Sequence, residues 1–448
     1  MYKNSDNLRS LFRFGVIFFN AQKFVEALLI FEYLVNANPE ARIFKEYETR
    51  SKNCLLEQSD SSISIGRLHL TNATDLTKRL RIADAIATFG EPSLIDSCIF
   101  ESDAAECPEY LLAKANAILD SDVDSWQYYV NQYLSHFELS PISIETTLPK
   151  DETSLFFRLA PTTLPKVTGP LITICMTCYN GAKYIETAVN SILNQTYKNF
   201  ELFIVDDFSD DNSIEIIRHI ANRDSRIRVI ENRVGKGTYA SRNHVLSVAK
   251  GQFFTVHDSD DFALPERLAI QVDWLLKHPS RVALLAEWVR ISIDGRFEFK
   301  TGWGGGYQHQ AHATLVLRTN EIKSRLGYWD SVFFGADTEM IFRIRKVYGD
   351  HGVGMLKVPM AFALSHGESL TQHPIIGINK GINKRSSDVR IEYRKSWEAW
   401  HASFDTNTDG YIEFPQVTRP FGVHDLMLGG LRASGQHDSP TTPQTLPG

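Results

Sequence analysis

Between residues 171 and 277 the chain alternates short apolar runs with stretches of helical periodicity, and this alternation constrains the fold most. The runs lie at 171–176, 200–206, 227–231 and 253–257. Helical spacing follows each of them, at 184–193, 213–223, 238–249 and 265–277. Strands buried on both faces read as continuous apolar runs, and parallel neighbours must be joined by a crossover, usually a helix. The pattern therefore predicts parallel β-α-β units and an α/β fold. Beyond 282–289 it becomes mixed, with a hairpin expected around Asp294-Gly295.

At 448 residues the chain exceeds one ordinary domain. Residues 1–165 read as mostly helical, 166–372 as the α/β domain and 373–448 as a C-terminal extension, polar and expected to be disordered from about 434. Pro149, Pro161, Pro165 and Pro170 mark a linker or extended edge segment between the first two. Within 8–41, Leu11, Phe14, Gly15, Phe18, Phe24, Ala27, Phe31, Leu34 and Pro39 are spaced as in one tetratricopeptide-like helix hairpin. There is no convincing second copy, and an ordinary amphipathic helix pair packed on helices near 75–89 and 123–136 accounts for the same residues.

A hydrophobic share of 43% is enough to build cores, and a net charge of −7 argues against nucleic acid as the partner. No apolar run is long enough to span a bilayer, and polar and acidic residues interrupt the N-terminal one. The expected location is the cytoplasm. The N-terminal helices would be free to meet a protein partner or the inner face of the membrane. Five cysteines suit a reducing compartment. Cys175 and Cys178 form a C-x-x-C, but no second pair follows, and Cys175 lies inside an apolar run, as a small buried hydrophobe does.

Chemistry concentrates at the carboxyl ends of three expected strands, where ligands bind in open α/β sheets. These ends read Thr177-Cys178-Tyr179-Asn180-Gly181, Asp206-Asp207-Phe208-Ser209-Asp210-Asp211 and His257-Asp258-Ser259-Asp260-Asp261. One aspartate cluster alone would read as turn and cap residues. Three polar clusters at one sheet edge reverse that reading: the carboxylates massed in two of them repel one another, and a hard divalent cation, Mg²⁺ or Mn²⁺, relieves the repulsion.

Residues 171–261 resemble the nucleotide-binding half of a family 2 glycosyltransferase with the GT-A fold. ITICMTCYNGAKYIETAVNSILNQTYKNFELFIVDDFSDDNS and ASRNHVLSVAKGQFFTVHDSDDFALPERL carry the resemblance. It implies Thr177 and Tyr179 at the base and ribose and Asp207 bonded to the base. It also implies Asp258 at the ribose or metal and Asp260 on a metal bridging the diphosphate, with Asp261 beside it. Phe208 stands where the family usually has glycine. Arg242 matches the family and is placed to meet phosphate or to pair with a carboxylate.

The stretch Gly327-Tyr328-Trp329-Asp330 and Gly335-Ala336-Asp337-Thr338-Glu339 resembles the family's acidic helix start, which makes Asp337 the general base and Glu339 structural or acceptor-orienting. His366 is a candidate metal ligand after a late strand. The implied reaction moves a sugar from a nucleotide-sugar, UDP-linked, to a glycan or glycolipid hydroxyl with inversion, as in bacterial surface polysaccharide synthesis.

A nucleotidyltransferase would need a glycine-rich loop after the first strand, which is missing. A scaffold with a degenerate domain is opposed by the retained DSDD and Asp337. The segment from Asp405 to Ile412 resembles the start of an EF-hand loop, but position 12 is Gln416 after Pro415, which disfavours calcium.

Overall fold

The computed structural model describes residues 107–146, 154–162, 164–300, 305–367, 388–405 and 409–428, together with most of 12–57, 75–87 and Ile95. Phe14, Pro39 and Cys98, the segments 148–153 and 406–408, and the tail from 429 lie outside the described residues.

The expected alternation is present. Strands β3 (Ile172–Cys178), β4 (Phe200–Asp206), β5 (Ile227–Glu231) and β6 (Phe253–Asp258) run parallel, in the spatial order β5-β4-β3-β6. Helices α6 (Ile185–Leu193), α7 (Ser213–Ala221) and α8 (Thr238–Val248) connect them. The sheet continues through β9 (Gln308–Arg318), antiparallel to both neighbours, then β8 (Ala283–Ser292), β10 (Val353–Ser365) and the short β7 (Phe262–Ala263). Helices α9 (Arg267–Lys277) and α11 (Ala336–Tyr348) complete the body, with α10 (Thr319–Arg325) between β9 and α11. This is a mixed, mainly parallel α/β sheet with the architecture of a GT-A fold.

Both sheet faces are covered. Cys175 belongs to one core and Cys178 to another, because residues three apart on a strand face opposite sides. Burial pushes the two thiols up, to about 12 and about 11, so neither is a thiolate near neutrality.

Within the proline-marked stretch, residues 155–159 are packed, while 165–169 are exposed. β1 (Ile142–Ile144) and β2 (Leu159–Pro161) pair as an antiparallel ribbon, and Leu155, Phe156 and Leu159 are buried. Residues 1–165 therefore include strand as well as helix. α4 (Tyr110–Ile118) and α5 (Val123–Ser135) pack directly on the β8–β9 hairpin. Asn116 exchanges two hydrogen bonds with the Phe297 backbone, at 2.8 and 2.7 Å. Trp126 donates to the Gly295 carbonyl at 3.0 Å and stacks on Phe297. The Glu109 carboxylate accepts the backbone N–H groups of Tyr307 and Gln308. Burial raises the Glu109 pKa to about 7 against the pull of those two donors. Ahead of α4 and α5 come α1 (Phe24–Ala37), α2 (Arg42–Glu57) and α3 (Asp75–Ala87), and Gly15 faces Phe31 of α1 so closely that a Cβ there would lie 2.6 Å from the ring.

The C-terminal segment folds back on the α/β body. α12 (Asp388–Ala402) buries Tyr393 and Trp397, and Ile412 bonds to Leu326 and Tyr328 on either side of Gly327. Gly327 has φ +74°, and a Cβ would meet the Ile412 carbonyl at 2.0 Å, so only glycine fits. Arg419 pairs with the buried Asp330.

Candidate active site

Register aligns the strand ends. Cys178 lies beside Asp206, and Thr177 lies beside Asp258. The three polar clusters thus share one edge, as the parallel arrangement requires. Thr177 is half-buried at that edge and Tyr179 is 48% exposed beyond it. The loops after β3 and β4 are laced together. The Asn180 amide donates to Ser209 Oγ, and the Asp210 amide donates to Asn180 Oδ1, both at 3.0 Å. Phe208, at the glycine position, adopts φ +68° and leaves its ring 53% exposed.

Asp207 is buried and holds the next loop. Its Oδ1 accepts from Asn232 Nδ2 at 2.9 Å and the Lys236 amide at 2.8 Å, and its Oδ2 accepts the Gly237 amide at 2.9 Å. Beside it, Oδ1 of the buried Asp206 has no hydrogen-bond partner among the described residues. Asp206 was not singled out by sequence, yet it has the open acceptor.

The DSDD turn divides its carboxylates among three tasks. Asp258 Oδ1 accepts from Arg242 Nη2 at 2.9 Å. Asp260 Oδ2 lies 2.8 Å from His366 Nε2, so residues 106 apart in sequence meet. Asp261, expected beside the metal, is only 3% exposed and accepts the Leu364 amide at 3.0 Å. Burial raises its pKa well above the carboxylate range. It ties the turn to β10 and is better placed to brace Asp260 than to join it on an ion.

Below the turn, Arg267 Nη1 lies 2.8 Å from His257 Nδ1. A guanidinium only donates, so the His257 proton sits on Nε2 and points to the Asp261 carbonyl, 3.2 Å away.

Asp337 opens α11 behind Gly335, whose φ is +91°. Its Oδ1 accepts the Thr338 amide at 2.7 Å, and its Oδ2 lies 3.2 Å from His312 Nδ1. Burial by itself would raise the pKa. The His312 charge and hydrogen bond, Arg242 and the Thr338 amide outweigh it and hold the carboxyl well below its usual range. Arg242, buried and paired with Asp258, therefore also stabilises the Asp337 charge. Glu339 faces away: it is fully buried, 2.9 Å from both Arg343 Nε and His401 Nε2, and is structural.

His312 escaped sequence reasoning because its place depends on a bulge. Ala286 pairs with Ala311 and Leu284 with Val316, so several β9 residues face one on β8. The bulge re-aims His312 towards Asp337. Side chains satisfy the backbone carbonyls it frees: Arg267 bonds Ala313 at 2.9 Å, Gln271 bonds Thr314 at 2.7 Å and Thr255 bonds Leu315 at 2.7 Å. Arg390 of α12 is another unforeseen residue. Its guanidinium lies over the Phe334 ring, within electrostatic reach of Asp337.

Asp260 and His366 suit a divalent ion. One carboxylate oxygen and one imidazole nitrogen converge, and the remaining positions can be filled by phosphate oxygens and water. No group of three or more His, Cys, Asp or Glu with metal-site geometry occurs among the described residues. The EF-hand-like segment turns its own carboxylate inward, Asp409 Oδ2 accepting the Asp405 amide at 2.6 Å.

Residues 173–344 match the model of glycosyl transferase family 2, and the chain carries a domain of that family. An uncharacterized glycosyltransferase of Haemophilus influenzae is 40% identical over 109 residues, 24% of this chain and 44% of that protein. A UDP-Glc:alpha-D-GlcNAc-diphosphoundecaprenol beta-1,3-glucosyltransferase of Escherichia coli, WfgD, is 37% identical over 108 residues, 24% of this chain and 42% of that protein. The chain thus spans less than half the length of these curated relatives. Among solved structures, S. aureus TarS 1-349 in complex with UDP-GlcNAc is 21% identical with a TM-score of 0.36, covering 44% of this chain and 59% of that one.

Proposed function

We propose that the protein is an inverting glycosyltransferase that moves a sugar from a UDP-linked donor to a hydroxyl of a glycan or glycolipid acceptor. One observation carries the reading: Arg242 bonds Asp258 of the DSDD corner and also lies within electrostatic reach of Asp337. A diphosphate corner and a base must lie this near each other if a hydroxyl is to attack the anomeric carbon while the nucleotide leaves. The names of relatives, UDP-glucose and a diphosphoundecaprenol acceptor in WfgD, favour the same donor and acceptor classes.

Thr177, Tyr179 and the Asp206–Asp207 pair would receive the nucleoside. Asp260 and His366, with Asp258 beside them, would hold Mn²⁺ or Mg²⁺. That ion, when bound, offsets charge on the departing diphosphate. Arg242 keeps Asp258 oriented and adds positive charge at the same corner. Asp337, kept ionised by His312 and Arg242, takes the proton of the attacking hydroxyl. The proton then rests on the Asp337 carboxyl, which stays hydrogen-bonded to His312. No helix of the described residues is long and apolar enough to cross a membrane. A lipid-linked acceptor would therefore be met from the membrane surface, and the N-terminal helices are the surface proposed for that contact or for a protein partner.

The test is a panel of UDP-sugars with Mn²⁺, assayed for UDP release. Wild type should release UDP from at least one donor, and Asp337→Asn should lower the rate about 10²–10⁴-fold, the usual contribution of a positioned base. Equal activity in the variant, or no turnover of any donor, would remove the assignment.

A further inference from the structure

A second polar cluster lies on the β8–β9 hairpin, away from the N-terminal helices. Val289 and Ile291 face those helices in the shared core, so Trp288 and Arg290 project from the opposite face. Trp288 pairs across the ladder with His309, which places both rings on that face. The Arg290 guanidinium lies 5.1 Å from the centre of the Trp288 ring. Lys300 completes the group: burial and the Arg290 charge press its pKa down to about 8. Burial, Lys300 and Arg290 likewise press His309 down to about 4, so its ring is neutral. Of the nearby acids, Glu298 acts on Lys300, and the inward-turned Asp261 feels Arg290.

Among the described residues, three buried nitrogens in this cluster have no hydrogen-bond partner: Trp288 Nε1, Arg290 Nε and His309 Nε2. An unmade buried hydrogen bond costs about 1–3 kcal/mol, and an indole or guanidinium N–H can only donate. Two cations held together against burial, with two idle donors beside them, require a negatively charged group with several acceptor oxygens. The open nitrogen of His309 can take a proton from a protonated oxyanion or gain one as the anion arrives.

We propose that Trp288, Arg290, Lys300 and His309 form an anion subsite that holds a phosphate or carboxylate group of the acceptor. This rests on the glycosyltransferase reading and adds to it a class of acceptor. His309 and His312, the partner of Asp337, belong to the same strand, β9. With β8 it lies across β6 from the strands whose ends are proposed for the nucleoside, so the anion would sit on the acceptor side of the sheet.

Calorimetric titration with inorganic phosphate and, separately, glucuronate tests the proposal, each without ligand and with saturating UDP and Mg²⁺. Phosphate or glucuronate should bind the UDP-saturated protein, and the stronger of the two names the source of the charge. Trp288→Phe combined with Arg290→Gln should weaken that binding at least tenfold and leave UDP affinity unchanged. Lys300→Gln alone, which leaves the backbone pairing of residue 300 with Gly306 in place, should weaken it in the same direction. Failure of both anions to bind wild type, unaltered binding by the variants, or loss of UDP affinity in them would each overturn the subsite. Absence of UDP binding in wild type would instead count against the donor site, since the ligand-free titrations still read the anion site.

Discussion

His312 Nδ1 stands 3.2 Å from Asp337 Oδ2, bringing a bulged strand and the first turn of a helix together at the proposed base. Each partner favours the other's charged form: Asp337 is held low and His312 is raised. His312→Gln keeps a hydrogen bond but removes the charge, so burial of Asp337 is no longer offset as strongly. The acid limb of kcat/KM should move up by about one pH unit, the scale on which a nearby charge acts. Rates near pH 8 should stay within about threefold, a small part of a base's contribution. Superimposable pH profiles would show that the pair does not tune the base.

The same pair sets a stability window. The depressed Asp337 stabilises the fold above its unfolded pKa, about 4, and loses that contribution as pH falls. The raised His312 stabilises it fully below its unfolded pKa, about 6.5, and loses that contribution as pH rises through the folded value. The stability gap between wild type and His312→Gln should therefore be widest between those two pH values. Denaturant melts across pH would read it directly.

Glu109 behaves oppositely. Its folded pKa of about 7 lies above the ordinary 4.5, so ionisation destabilises the folded protein as pH rises between the two. Glu109→Gln retains an acceptor for the Tyr307 and Gln308 amides without the charge. Its melting temperature should match wild type near pH 5 and exceed it at pH 8, by about 2–5 °C for a gain of about 1 kcal/mol. A constant difference at every pH would mean that the carboxyl is not the titrating group.

Arg267→Met leaves the Val256 and Ala313 carbonyls without their donor and removes the hydrogen bond to His257. Unmet buried groups of this kind cost about 1–3 kcal/mol each. The variant should be destabilised by about 3 kcal/mol, and any folded fraction should show the same raised acid limb as His312→Gln because the bulge no longer presents His312. A wild-type pH profile at reduced stability would separate the bulge from the chemistry.

The parallel half of the sheet was legible because continuous apolar runs admit few readings. The predicted 200–206 and 227–231 coincide with β4 and β5. Asp258, Asp260 and Asp337 were legible because their neighbours form ordered motifs. His312, Arg267 and the Trp288 cluster were not. They depend on an antiparallel strand with a bulge, and no local spacing marks which residue a bulge re-aims. The meeting of Asp260 with His366 needed β7 and β10 to pair, a contact between distant segments. Asp261 is next to Asp260 in sequence, but its bond to the Leu364 amide of β10 is a long-range contact that no local spacing marks.

The most direct measurement is UDP affinity with and without Mn²⁺ for wild type, Asp260→Asn and Asp337→Asn. Wild type should bind UDP at least tenfold more tightly with Mn²⁺, Asp260→Asn should lose that gain, and Asp337→Asn should keep it while losing turnover. Equal UDP binding in Mn²⁺ and in chelator, or an Asp260→Asn protein that still responds to the metal, would contradict the assignment of the DSDD corner to the metal and the diphosphate.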